Sequence, residues 1–155
     1  MTDNSYDRYP KKRSAAGAIL LNERGEMLVV NPTYKDHWEF PGGIIEDNES
    51  PRQACLREVK EEIGLDRVRA DLIGLDYERA RGQKTETYQF IFYCGTITDE
   101  DISRITLPEG ELSDYRFVSQ EEAQALLGPR RGNRLKQMLK ARESGTSAYL
   151  EDGRV

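Results

Sequence analysis

Glu58, Glu61 and Glu62 carry the strongest chemical signal in the chain. On an α-helix their spacing of i, i+3 and i+4 turns three carboxylates to one side, within reach of a common point. Like charges so placed repel, and that cost disappears when a hard divalent cation with oxygen ligands sits among them. Magnesium, which keeps several waters and takes a few carboxylates together with substrate phosphates, suits such a cluster. The alternative is a solvated acidic face with Arg57 and Lys60 as partial counterions. Spacing alone leaves both readings open.

The element that must carry these residues is well marked. Ser50 is placed as an N-cap, Pro51 at the first helical position, Gln53 to complete a capping box and Gly64 just past the end. Cys55, Leu56, Val59 and Ile63 form the apolar stripe of this helix, Ser50 to Ile63. Just ahead of it, Pro41-Gly42-Gly43 signals a sharp backbone feature. The glycines there serve as a plain turn, as a close backbone approach to a metal or phosphate, or as both.

Between Gly43 and Leu65 the chain reads GIIEDNESPRQACLREVKEEIGL. Its fixed residues are Gly43, Glu49, Arg57, Glu58, Glu61, Glu62 and Gly64, with Val59 and Leu65 as the bulky apolar ones. At roughly 7% abundance per residue type, seven such matches coincide at about 10⁻⁸ per starting point. Chance therefore drops out as an explanation.

This segment resembles, at every specified position, the Nudix box Gly-x5-Glu-x7-Arg-Glu-U-x-Glu-Glu-x-Gly-U, where U is bulky and apolar. The approach Trp38-Glu39-Phe40-Pro41-Gly42-Gly43 is also similar to that of many members of the Nudix hydrolase family. The resemblance implies a mixed β-sheet in an α/β/α sandwich over essentially Ser14 to Arg142. It implies hydrolysis of a diphosphate linkage in a nucleoside diphosphate derivative or a nucleoside triphosphate, using one to three magnesium or manganese ions. It makes Glu58, Glu61 and Glu62 metal ligands, with the Gly43 carbonyl as a further oxygen. Arg57, although part of the catalytic box, is expected with Glu49 to brace loop and helix, and Gly42 and Gly64 to support the site. The base that takes a proton from the attacking water is Glu58 or Glu61 within the box, or an acid from a loop outside it. In that loop Glu111, next to the possible anchor Leu112, is preferred to Glu109, and Asp114 adjoins a strand.

The remaining elements read as a frame for this helix. Ser14 to Leu21 and Met27 to Val30 form a hairpin about a Gly25 turn, and Asn31 to Gly43 a loop ending in a short strand. Asp71 to Ala80 and Glu86 to Ile97 form a second hairpin about Arg81-Gly82-Gln83-Lys84. Asp99 to Asp114 is expected as an acidic loop and Tyr115 to Val118 as a short strand. Ser119 with Glu122 should box the start of a helix ending at Gly128-Pro129, and a last helix should span Arg131 to Arg142. This divides the chain into a flexible charged lead-in 1–13, a domain 14–143, and a tail 144–155 that is loosely held or packs on a neighbour. The order is α/β, too irregular for a Rossmann alternation.

The 155 residues suit one domain, and 28 acidic against 23 basic residues provide no basic stripe for a long nucleic acid. A small phosphate-bearing molecule, probed through a bound cation, fits an acidic chain better. No apolar run is long enough for a signal peptide or a membrane span, and two cysteines without Cys-x-x-Cys spacing fit a reducing cytoplasm. Members of the family are often homodimers, and this sequence leaves the oligomeric state open. His37 reads as exposed or structural rather than catalytic, Tyr88, Phe90 and Phe92 as core rather than a stacking platform, and Arg130 and Arg131 as a surface helix start. A nucleotide sensor of the same fold would be expected to lose box carboxylates. An isopentenyl-diphosphate isomerase would need a placed cysteine, which neither Cys55 on the apolar stripe nor Cys94 in a strand supplies.

Overall fold

In the computed structural model, which describes residues 4–155, strand residues alternate between two cores. Along β1 (Arg13–Leu21), Ala16, Ala18 and Leu20 face one way and Ile19 the other. The same alternation puts Leu28 and Val30 opposite Met27 and Val29 in β2 (Met27–Pro32). In β5 (Thr87–Thr96), Phe92 and Cys94 oppose Ile91 and Tyr93. A sheet buried on both faces needs a layer on each. Helix α1 (Pro51–Ile63) supplies one through Ala54, Cys55, Val59 and Ile63. Helices α3 (Gln120–Leu127) and α4 (Pro129–Glu143) supply the other through Ala123, Leu127, Leu135 and Met138. The result is the expected α/β/α sandwich.

The sheet has seven strands in the order β6-β2-β1-β5-β4-β7, with β3 (Gly42–Ile44) paired to β1 off this path. Here β4 is Asp71–Glu78, β6 Leu112–Val118 and β7 Ala148–Glu151. Both expected hairpins form, β1 with β2 at Leu21↔Met27 and β4 with β5. The sheet is mixed because β1 pairs β5 in parallel, Ala16 opposite Phe90, and β4 pairs β7 in parallel. Among the described residues no helix is long and apolar enough to cross a membrane.

Four expectations are corrected. The stretch from Asp99 is not all loop: Thr98 and Asp101 form a full capping box on a short helix α2 (Asp99–Ser103), and β6 already starts at Leu112. At α3 only half of the expected box is seen, with Ser119 accepting the Glu122 N–H. The lead-in holds a 3-10 turn, Ser5–Arg8, capped by Asn4, and its residues 1–3 lie outside the described residues. Finally, the tail is not loose but forms strand β7 of the sheet. Leu150 is fully buried in the core beneath α4, and Gly153 N–H donates to buried Asp76 at 3.0 Å. One short apolar triplet in a polar run gave too weak a period to mark this strand, whose partner lies more than seventy residues away in sequence.

Phe90 and Phe92 join the core as expected, while Tyr88 tilts against Tyr77 with ring centroids 5.6 Å apart. Because β7 completes the second core, Leu150→Ala should destabilise the protein by about 2–5 kcal/mol, as for other buried leucines. Urea unfolding of the full chain measures this, and a loss below about 0.5 kcal/mol would show that the tail is dispensable.

Candidate active site

The box helix begins and ends as its sequence dictates. Ser50 Oγ accepts the Gln53 N–H at 3.1 Å and Gln53 Oε1 accepts the Ser50 N–H at 2.9 Å. Gly64 closes the helix in the left-handed region at φ 77°, with its N–H on the Lys60 carbonyl. So fixed, α1 presents Arg57, Glu58, Glu61 and Glu62 along one side.

Arg57 is the hub. Its Nε and Nη2 donate to both oxygens of Glu49 at 2.7 and 2.9 Å, and Nη2 also reaches the Ile44 carbonyl at 3.1 Å. Its Nη1 donates to Glu58 at 2.8 Å and Glu61 at 3.1 Å. The Glu49 carboxyl is pulled down to about 2, first by Arg57 and then by the Glu46 N–H. Arg57 itself is held more firmly protonated by the same partners.

Glu58 and Glu62 press against the glycine strand. A Cβ on Gly42 would stand 2.3 Å from the Ala16 carbonyl oxygen, so the backbone of β1 leaves no room for a side chain there, while one on Gly43 would stand 2.4 Å from Glu58 Oε1 and would displace that carboxylate. Gly42 N–H donates to Glu62 Oε2 at 3.2 Å. Burial, and then the charge of Glu58, push the Glu62 carboxyl up to about 8, and burial also raises Glu58. A buried carboxylate that favours its proton in this way is a site short of positive charge. The oxygen donors are hard, which suits magnesium or manganese and not a thiophilic metal. Among the described residues no three His, Cys, Asp or Glu side chains are already gathered as a cage. Glu61 is the member held apart, more than half exposed on Arg57.

Glu58, Glu62, Gly42 and Gly43 line a cavity of about 550 Å³. Glu111 lines it too and Glu109 does not. The backbone holds Glu111 there, its carbonyl accepting the Thr33 N–H at 3.0 Å. Asp114 lies within β6 opposite Asn31. Among its other lining residues are the cations Arg13, Lys84 and Arg131 and the apolar Ile91, Leu127, Leu135 and Met138.

Sequence reasoning missed several of these groups. Glu39 lines the cavity and binds Lys35 at 2.7 Å and His37 Nε2 at 3.1 Å, which gives His37 a structural place beside the site. Buried Arg134 donates to Asp76 at 2.6 Å and also to Glu78, joining α4 to β4 at the cavity floor. Asp76, an acid in mid-strand between Leu75 and Tyr77, was the available signal. Arg130, expected on the surface, is largely covered and pairs with Glu78 at 3.0 Å. Cys55 and Cys94 are fully buried with sulfurs 3.6 Å apart, away from the cavity lining. The Cys94 sulfur and burial push the Cys55 thiol up, out of the reactive range.

Comparisons with known proteins agree with this geometry. The chain is 44% identical over 62 residues to an RNA pyrophosphohydrolase of Marinomonas sp. (strain MWYL1), covering 40% of this chain and 38% of that protein. It is 40% identical over 67 residues to an 8-oxo-dGTP diphosphatase of Proteus vulgaris, covering 41% of this chain and 60% of the relative. The chain thus matches less than two thirds of either relative's length. In structure it is similar to a MutT protein from Methanosarcina mazei Go1, with TM-score 0.73 and 22% identity over 87% of this chain and 99% of that one. A UDP-X diphosphatase gives TM-score 0.75 at 18% identity, covering 95% and 70% of the two chains, and both likenesses speak for the fold alone. The NUDIX domain model matches residues 11–139, well over half of the sequence, and the chain therefore belongs to the NUDIX family.

Proposed function

We propose that this protein hydrolyses a diphosphate linkage in a nucleotide derivative, by attack of water at phosphorus, with a divalent cation bound at the box helix. The observation that carries this reading is the pair Glu58 and Glu62, held against Gly42 and Gly43 in the lining of a cavity that Arg13, Lys84 and Arg131 also line. Glu58, Glu61, Glu62 and the Gly43 carbonyl are the ligands, and magnesium is the preferred ion, with manganese as a substitute. When bound, the cation neutralises the diphosphate and acidifies a water toward neutral pH. Arg13, Lys84 and Arg131 draw in the anionic part of the substrate, and the apolar lining packs on its organic part and excludes water. Arg57 and Glu49 act as positioning residues, since their bonds are to the loop and to Glu58 and Glu61.

Glu111 takes the proton of the attacking water in this proposal, and its position on the cavity lining supports it over Glu109. The substrate is a small molecule, supported by the nucleotide in the name of the 8-oxo-dGTP diphosphatase and by a cavity of about 550 Å³. A cytoplasmic setting belongs to the same reading, supported by two cysteines without paired spacing.

The direct experiment is a panel of nucleoside diphosphate derivatives and triphosphates with magnesium or manganese, run in ¹⁸O-labelled water. Turnover abolished by a chelator, with the label on a phosphate product, is expected. Binding without any turnover would favour a sensor. Glu111→Gln should lower kcat by about 10² to 10⁴ with KM little changed. A near-normal rate there, with the large loss in Glu109→Gln or Glu58→Gln, would move the base to that residue.

Glu62→Gln should also abolish most turnover, and it has a metal-free signature. The folded carboxyl keeps its proton to about pH 8 whereas an ordinary one loses it near 4.5, so the folded state binds the extra proton between those values. Parent stability should accordingly fall as pH rises through that window. The melting temperature of Glu62→Gln in chelator should match the parent near pH 4.5 and exceed it increasingly towards pH 8. A constant difference across this range would rule out Glu62 as the strained carboxyl.

A further inference from the structure

A second cavity, of about 730 Å³, opens beside the first, where the β4–β5 turn meets the start of α4 and the turn after β7. Four arginines line it, Arg79, Arg81, Arg130 and Arg154, against only two carboxylates, Glu151 and Asp152. Asp152 is shared by Arg79 and by Arg81, the latter at 3.0 Å. Arg130 is paired with Glu78, which Arg134 also engages. Among the described residues Arg154 has no side-chain partner, and its N–H bonds only the Glu151 carbonyl across the turn.

This concentration of positive charge stands out in a chain whose formal net charge is -5. Arg79 and Arg81 share the single carboxylate of Asp152, and Arg154 has no side-chain partner among the described residues, so positive charge is left over around the cavity and an anion bound there would offset its repulsion. Burial weakens the hold of Arg130 on its proton, and the guanidiniums of Arg131, Arg81 and Arg134 add to this against Glu78. The helix contributes in the same sense. Gly128, its N-cap, makes no side-chain capping bond, Pro129 occupies the first position, and the positive end of a 15-residue dipole faces the arginines.

We propose that this cavity is a second anion site, taking a phosphate or short polyphosphate group, distinct from the catalytic cavity. Neighbouring residues divide between the two: Arg130 lines the second cavity and Arg131 the first. Glu78, on the wall of the catalytic cavity, binds Arg130 from behind. An anion in the second cavity therefore lies one residue along α4 from the catalytic one. Two sources fit the chemistry: a phosphate at the far end of an extended substrate, or a free polyphosphate. The existence of the site does not rest on the catalytic reading, because binding is measured without turnover; only the choice between its two sources does.

The test is calorimetric titration of the full-length protein with inorganic tripolyphosphate at low salt, in chelator so that no divalent cation is present. The parent should bind, with affinity falling steeply as salt is raised. Arg81→Gln combined with Arg154→Gln should weaken binding at least tenfold, while Arg131→Gln changes it less than the double variant does. Because Arg81 pairs with Asp152, the single charge reversal Arg154→Glu on an exposed side chain guards against a folding defect and should weaken binding at least fivefold. Unchanged affinity in Arg154→Glu, or loss confined to Arg131→Gln, overturns the proposal. Its source is read from turnover. If the site serves substrate, the double variant loses kcat/KM only on nucleotides with a distal phosphate. If it serves a free anion, the double variant keeps kcat/KM on both kinds while tripolyphosphate binding is lost.

Discussion

The guanidinium of Arg57 is the contact on which the site depends. Five acceptor oxygens on four residues converge on it: both of Glu49, one each of Glu58 and Glu61, and the Ile44 carbonyl. It thereby ties the loop leaving β3 to the helix that carries the carboxylates, and partly offsets the repulsion that the carboxylates exert on one another. A lysine could supply the charge but not a planar fork that bonds Glu49 bidentately while reaching Glu58 with its other arm. The shared partner meets the charges of Glu58 and Glu61, whereas half-buried Glu62 is hydrogen-bonded only by a backbone N–H and holds its proton up to about pH 8.

Around this hub, packing and chemistry constrain the same residues. Gly42 must be glycine because β3 lies on β1 and the Ala16 backbone leaves no space for a Cβ, and a Cβ on Gly43 would push the Glu58 carboxylate off β3. Gly74 does the same for the opposite layer, where a Cβ would stand 2.7 Å from Met138, so α4 can settle on β4. That close seating brings Arg134 to Asp76, and Asp76 in turn holds Gly153. A buried ion pair of this kind is costly unless its hydrogen bonds are filled, and both Asp76 oxygens have a donor. The last strand is thus locked to the same floor that closes the catalytic cavity.

The box helix was legible residue by residue, from Ser50 to Gly64, because capping, periodicity and the spacing of the acids all lie within one short segment. The hairpins were legible for the same reason. What escaped was set by contacts distant in sequence. The parallel pairing of β1 with β5 joins residues more than seventy positions apart, and no local pattern signals it. The last strand has one buried side chain, Leu150, and its other partners are backbone groups of β4. The helix at Asp99 was written in a Thr98-x-x-Asp101 cap but obscured by its uniformly acidic first turn. In the site, the acidic half could be read from spacing, whereas the cationic half comes from Arg13, Lys84 and Arg131 on three separate elements and exists only after folding.

Under the proposed function, this mixture of charges is how an acidic chain would receive a phosphate ligand. The carboxylates of Glu39, Glu58 and Glu62 alone would repel a diphosphate, and neutralising them with arginines throughout would leave no ligands for a cation. Lining one cavity with both signs, carried on separate elements, avoids both outcomes. Arg57 can satisfy Glu58 and Glu61 from outside the cavity lining, while Arg131, at the open end of a helix whose dipole adds to its charge, faces inward. The net charge of the chain therefore says little about this ligand. Its recognition depends on where a few cations stand relative to the acids, which is a property of the sheet order and of the start of α4.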